Sequence, residues 1–170
     1  WDKPDSQDVC FIEASAGREA FLGSRIELTT AQLVDTELNQ VVGETRAAEL
    51  MAVGQRRGVA PGFDGERRYV TKVDLTSRRV EVARLEKSLE STITVDPSSL
   101  TYPYDDLADG SDVIAQVSAH GRPLAATWFG GPTPRVELHE PARPVAAGQS
   151  LVLYDAETNT RVLAAGVVRR

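Results

Sequence analysis

The sequence holds a single cysteine, Cys10, whose thiol becomes a nucleophile once it loses its proton. That ionisation needs a nearby cation or hydrogen-bond donor. The neighbours of Cys10 are instead the acids Asp5 and Asp8 and the apolar Val9 and Phe11. On these residues alone the pattern favours a buried, unreactive cysteine. A metal site at Cys10 is not indicated, because no second cysteine or nearby histidine supplies ligands.

A second candidate lies in segment 54–58, where Gln55, Arg56 and Arg57 stand between two glycines. Glycine allows sharp turns and a close approach of backbone to ligand, and arginine grips phosphate through two N–H groups. Taken alone, such a basic turn is more often structural than functional. A Walker-type phosphate loop is excluded, because no Gly-Lys-Ser/Thr follows.

The charge distribution sets this segment in a basic region. The whole chain carries a net charge of −6, which opposes RNA binding over a broad surface. Residues 54–87 nevertheless hold nine Lys or Arg against five Asp or Glu, whereas 1–53 and 88–170 are both acidic. Such a basic region fits either a solvated hairpin or an RNA contact.

Short strands separated by turn residues predict a mainly β fold, in which residues 68–84 form the clearest hairpin. Strict alternation along its first strand places Arg68 and Lys72 on the polar face, together with Val70 and Asp74. The two cations form either a positive stripe or an ordinary solvated face. A short helix is expected within 13–22. Further strands are expected at 31–34, 40–42, 112–118, 124–129, 135–138, 151–154 and 161–168.

Three motifs, which follow one another along nearly the whole chain, resemble the bacterial tRNA-specific 2-thiouridylases. Residues 6–12 match that family's Ser-x-x-(Ile/Val)-Cys-Phe-(Ile/Val) motif around Cys10. Segment 54–58 resembles its Gly-Gln-Arg-Lys-Gly-Leu signature, with Arg57 and Val59 in place of the usual Lys and Leu. Residues 140–154 resemble its Glu-Pro-x-x-x-Val-x-x-Gly-Gln-x-Val-Val-x-Tyr run.

The resemblance implies a C-terminal fragment that lacks an N-terminal ATP-using domain. Residues 1–22 would be the end of that domain with the Cys10 loop. Residues 23–90 would form a small β-roll-like central domain that contacts tRNA. Residues 91–170 would form a β-barrel of the kind seen in translation factors.

The resemblance also implies a function for the full-length protein, which is 2-thiolation of the wobble uridine of tRNA. ATP would first adenylate the uridine C2 oxygen, and a sulfur-relay donor protein would supply persulfide sulfur. Cys10 would be catalytic together with a second cysteine outside this chain. The expected tRNA contacts are Gln55, Arg56, Arg57, Arg68 and Lys72. ATP and Mg²⁺ would be bound by the absent domain, so the fragment alone is expected to be inactive.

The remaining expectations concern location and rival functions. No apolar run approaches the roughly eighteen residues that span a bilayer, and a lone cysteine fits a reducing compartment. We expect a cytoplasmic monomer without membrane contact. The alternative function is a non-enzymatic β-barrel module that binds RNA or protein, with Cys10 as filler. A methyltransferase accessory domain is a third reading, for which the sequence holds no cofactor motif.

Overall fold

The computed structural model describes residues 17–102, 107–118 and 121–170, and strands dominate it. The helices are α1 (Gly17–Gly23), α2 (Leu85–Ser88) and two 3₁₀ turns at Ala48–Leu50 and Pro97–Ser99. The strands are β1 (Ala31–Asp35), β2 (Gln40–Thr45), β3 (Tyr69–Asp74), β4 (Arg79–Ala83), β5 (Glu90–Thr94), β6 (Asp112–Gln116), β7 (Leu124–Phe129), β8 (Arg135–Ala142), β9 (Ser150–Asp155) and β10 (Val162–Val167). No helix in these ranges is long and apolar enough to cross a bilayer.

The first sheet has the strand order β2-β1-β4-β3 and consists of two antiparallel hairpins. A parallel pairing between β1 and β4 joins the hairpins at the centre of the sheet. Leu33, Val70, Val80 and Val82 are buried on one face and pack with Ala48 of the first 3₁₀ turn. These β-branched and aliphatic side chains favour a pleated, half-buried surface.

The second sheet has the order β10-β9-β6-β7-β8-β5, with antiparallel pairing throughout. Its two edges meet, because bridges join Val95, just after β5, to Val168, just after β10, and Thr101 to Ala165 within β10. The Arg169 N–H also donates to the Thr94 carbonyl at 3.0 Å. Closure satisfies backbone groups that an open edge would leave unpaired.

The interior of this barrel is filled by inward-facing aliphatic side chains and by one large aromatic ring. Trp128 on β7 is 1% exposed and packs among residues such as Val113, Leu151 and Leu153. The ring of Tyr102 meets Trp128 edge-on, with centroids 6.4 Å apart and planes at 73°. The expected mainly β fold with a C-terminal barrel is confirmed.

The structure differs from the expected elements at α2 and β5, in the first helix and in β8, which extends from the expected 135–138 to Ala142. Strand β5 was not expected, because Glu90, Ser91 and Thr92 are polar and only Ile93 in this strand is buried. The helix expected within 13–22 is observed as Gly17–Gly23, and residues 13–16 fall outside the described ranges. The domain limits at 22 and 90 stay a prediction.

Candidate nucleic-acid interface

The basic turn is attached to strand β3 by two backbone hydrogen bonds. The Gly54 N–H donates to the Val70 carbonyl at 2.8 Å, and the Val70 N–H donates to the Gln55 carbonyl at 2.9 Å. Gly54 and Gly58 have φ angles of 82° and 77°. Both positions therefore require the left-handed backbone that glycine adopts without strain. The turn is a fixed part of the first sheet.

Gln55 holds the shape of the turn. Its Oε1 accepts from the Ala52 N–H at 3.0 Å, and its Nε2 donates to the Arg57 carbonyl at 2.7 Å. A further contact joins Nε2 to the Met51 sulfur at 3.6 Å. Because the amide is engaged on both sides, its geometric role is to orient the two arginines that follow. Direct contact of Gln55 with tRNA stays a prediction.

Arg56 and Arg57 project from this turn into solvent. Both residues are exposed, and within the described ranges neither side chain has an ion-pair or hydrogen-bond partner. A guanidinium group with all five donors free is available for a phosphate oxygen. The arrangement therefore offers two adjacent positive charges on a backbone that is held in place.

The turn is the first part of a longer closed loop, residues 55–70, whose ends are joined by the Val70–Gln55 hydrogen bond. A second tight turn lies inside it, because the Gly62 N–H donates to the Glu66 carbonyl and the Gly65 N–H donates to the Gly62 carbonyl, both at 2.9 Å. We call this segment loop 55–70. Phe63 lies in its second turn and is 73% exposed.

Arg68 lies at the base of loop 55–70 and is buried, so the expectation that it shares an exposed polar face with Lys72 is wrong. Its Nε is 2.7 Å from Asp35 Oδ2, and its Nη2 is 2.9 Å from Asp64 Oδ2. Its Nη1 donates to the Glu66 carbonyl at 3.0 Å. The side chain of Arg68 is 0% exposed and therefore ties β1 to the loop.

A local irregularity of β3 explains this difference. The pairing runs from Val70–Val82 to Lys72–Glu81, so Thr71 is an extra residue and the alternation changes face there. Val70, also expected on the polar face, is 0% exposed.

The carboxylates around Arg68 are ionised and form a continuous network. Burial raises the pKa of Asp35, but hydrogen bonds from Arg68 and from the Glu37 and Leu38 N–H groups outweigh it, and the net pKa is lowered. The hydrogen bond from Arg68 is the main cause that lowers the pKa of Asp64 to about 2. Arg84 also contacts Asp64 Oδ2 at 2.9 Å. Both acids therefore remain charged at neutral pH.

Lys72 is exposed on β3, at the edge of the first sheet, and its neighbours are acidic. Glu81 is its register partner on β4, and the charge of Lys72 contributes to the lowered pKa of Asp74. Nearby carboxylates offset part of its positive charge. Lys72 is thus a weaker candidate for phosphate contact than Arg56 or Arg57, and its role stays a prediction.

The barrel is contacted at both ends of loop 55–70, by Gly54 just before it and by Tyr69 near its end. A side-chain carbon at Gly54 would lie 3.0 Å from the Pro144 carbonyl oxygen, so the two backbones approach closely. The Arg143 guanidinium lies 5.9 Å from the ring centre of Tyr69. Both barrel residues belong to the 140–154 run that the sequence singles out, so this run also forms a contact with the first sheet.

Cys10, the expected catalytic residue, lies outside the described residues. Within the described ranges, no group of three or more His, Cys, Asp or Glu side chains is arranged to hold a metal ion. The roles of Cys10, ATP and Mg²⁺ stay predictions.

Comparisons with known proteins show which sequences this chain is similar to. Residues 114–168 match the family described as the aminomethyltransferase β-barrel domain. The tRNA-specific 2-thiouridylase MnmA of Corynebacterium diphtheriae is 36% identical over 158 residues, which cover 89% of this chain. The enzymes of the same name from Mycolicibacterium gilvum and Thermobifida fusca are each 38% identical, over 99% and 92% of this chain.

This chain is similar in sequence to the C-terminal part of the tRNA-specific 2-thiouridylases. It spans between 42% and 48% of the length of these three relatives. The resemblance noted in the sequence is thereby confirmed. The sequence did not predict two features of this chain, which are the Asp35–Arg68–Asp64 network and the exposed Phe63. The exposure of Phe63 could have been predicted, because this phenylalanine stands between a glycine and an aspartate in a basic loop.

Proposed function

We propose that this chain is the tRNA-contacting part of a sulfurtransferase that 2-thiolates the wobble uridine of tRNA. The observation that carries the proposal is the pair Arg56 and Arg57, which is exposed, unpaired within the described ranges and held on a fixed loop. The relatives that cover nine-tenths of the chain are named for this activity, which supports the same conclusion.

The electrostatics favour a local RNA contact. The net charge of −6 repels a polyanion from most of the surface, so contact is favoured only where cations are exposed. Two adjacent guanidinium groups would neutralise about two phosphates and release the counterions condensed on them. Such contacts fix the orientation of the RNA and carry no base sequence. Loop 55–70 would therefore orient the tRNA.

The chemical step would use Cys10 as one of two cysteines that handle the transferred sulfur. A persulfide from a sulfur-relay donor protein would supply that sulfur. ATP with Mg²⁺, bound outside this chain, would turn the uridine C2 oxygen into a leaving group. The chain would act as a monomer in the cytoplasm and would have no activity without the ATP-using part.

A binding measurement tests the tRNA contact directly. Arg56→Gln and Arg57→Gln each remove one exposed charge without altering a described contact. Each change should weaken tRNA binding and should reduce the slope of log affinity against log salt concentration by about one unit. Arg78→Gln is the matched control, since Arg78 is also exposed but lies in the β3–β4 turn. Equal effects at all three positions would show that only net charge matters and would refute the proposed interface.

The sulfur-transfer role is tested in the complete gene product. Cys10→Ser should abolish 2-thiouridine in cellular tRNA while tRNA binding is retained, because the hydroxyl cannot carry persulfide sulfur. Nucleoside analysis of purified tRNA measures the outcome. Unchanged thiolation would remove Cys10 from the chemistry and would favour the alternative, a non-enzymatic β-barrel binding module.

A further inference from the structure

We propose that Phe63 is a stacking platform for an unpaired nucleobase of the RNA that loop 55–70 contacts. The proposal rests on the proposed function. It adds a second subsite, which binds a flat nucleobase, beside the arginines that bind phosphate. It arises from the exposure of Phe63, the rigidity of the turn that carries it and the charges that flank it.

Phe63 is the most exposed large apolar side chain in the part of the chain that the structure describes. It is 73% exposed, whereas the others in this group lie between 38% and 49%. The ring therefore contributes little to the core, and an exposed aromatic ring at a loop tip is available to a ligand. Every nucleobase has a flat face on which such a ring can stack.

The turn that presents the ring is held from beneath. The backbone of Gly62 lies against the Arg68 guanidinium so closely that a side-chain carbon at this position would clash with it. Asp64, on the other side of Phe63, is held by Arg68 and Arg84 at 2.9 Å each. With both neighbours fixed, stacking would order little more than the ring itself, and the entropic cost of binding falls.

Within the described ranges, loop 55–70 holds three exposed arginines without side-chain partners against one such carboxylate, that of Glu66, and this balance favours RNA over other partners. Arg67, in the same loop, is exposed and has no side-chain partner within the described ranges, as is true of Arg56 and Arg57. The carboxylate of Asp64 is offset by its two arginines. One ring supplies far less apolar area than a stable protein–protein interface buries, about 1,200–2,000 Å². A nucleobase can stack on the ring while its neighbouring phosphates contact the arginines.

Three substitutions at Phe63 separate stacking from simple apolar contact. Phe63→Ala should weaken binding of tRNA and of unstructured single-stranded RNA about five- to 150-fold. Phe63→Trp should keep or strengthen binding, and Phe63→Leu should behave like alanine because it lacks a π face. Leu75→Ala is the control, since Leu75 is 46% exposed but lies just after β3. Thermal unfolding should be unchanged in all four variants.

The dependence of affinity on salt gives a second readout. Phe63→Ala should lower affinity without changing the salt slope, because no phosphate contact is lost. Full affinity in Phe63→Ala or in Phe63→Leu would overturn the stacking proposal. If Arg56→Gln and Arg57→Gln still weaken binding in that case, the proposed function stands without the platform. If none of these changes affects binding, both proposals fail.

Discussion

Replacement of Arg68 by methionine should destabilise the first sheet more than any other single change in its ion-pair network. Methionine keeps the aliphatic stem but removes three hydrogen bonds. Arg68 donates these to Asp35 at 2.7 Å, to Asp64 at 2.9 Å and to the Glu66 carbonyl at 3.0 Å. The carboxylate of Asp35 would remain buried without its cation. Loss of one partner of a buried pair costs about 3–5 kcal/mol, and we expect a loss in this range.

The same network supplies controls for this prediction. Arg84→Met removes a cation that is 44% exposed and should cost about 0–1 kcal/mol. The double change Asp35→Asn with Arg68→Met should recover about 2 kcal/mol relative to Arg68→Met alone, because no buried charge is left unpaired. The asparagine oxygen can still accept from the Glu37 and Leu38 N–H groups, as Asp35 does now.

The loss of unfolding free energy in Arg68→Met should also depend on pH. In the native chain the pKa of Asp35 is lowered, so its contribution is present at neutral pH and disappears as pH falls through its pKa. Without Arg68, burial raises that pKa, and protonation relieves the unpaired charge. The stability difference between the two proteins should therefore shrink from pH 7 towards pH 4.

Urea unfolding followed by circular dichroism measures these free energies. Hydrogen exchange at the Val70 amide, which donates to Gln55, reports on the first sheet alone. The reasoning is refuted if Arg68→Met costs no more than Arg84→Met, or if its deficit grows as the solution is acidified.

Two further predictions concern the same sheet and its response to acid. Gly62→Ala should lower the free energy of unfolding in urea by about 1–3 kcal/mol, because the added carbon displaces the Arg68 guanidinium. Gly43→Ala is the control. Its added carbon would make only ordinary van der Waals contacts, so the change should be neutral or slightly stabilising. Equal stabilities would show that the guanidinium has room to move. The pKa of Asp64 is about 2 in the folded chain and ~3.9 when unfolded, so stability from this group should be lost between about pH 4 and pH 2. Urea midpoints over this range should fall less steeply in Asp64→Asn, and an identical pH profile in that variant would contradict the assignment.

The elements that the sequence predicted well are those governed by local pattern. The β3–β4 hairpin and β7 (Leu124–Phe129) fall close to where alternation and turn residues place them. Strand β5 was missed because one buried side chain in five residues gives too little periodicity. Its place in the barrel depends on pairing with β8, which no local pattern contains.

In the candidate site, too, the sequence predicts the features set by neighbouring residues and misses those set by residues far away in the chain. The turn that carries Arg56 and Arg57 follows from its glycines, which act within a few residues. The position of Arg68 does not, because one extra residue at Thr71 reverses the face of β3 and the partner of Arg68, Asp35, lies 33 positions earlier. A bulge and a distant acid are both decided by tertiary packing.

The closure of the barrel has a consequence for the order of folding. The bridges Val95–Val168 and Thr101–Ala165 join positions more than sixty residues apart, so ring formation must wait until the ribosome has made residues 165–168. The first sheet pairs only residues up to Ala83 and is free to form earlier. Contacts of such large sequence separation slow folding. During synthesis, the half-made barrel would leave the edge of β5 open to other chains, and this edge is where chaperone protection would matter most.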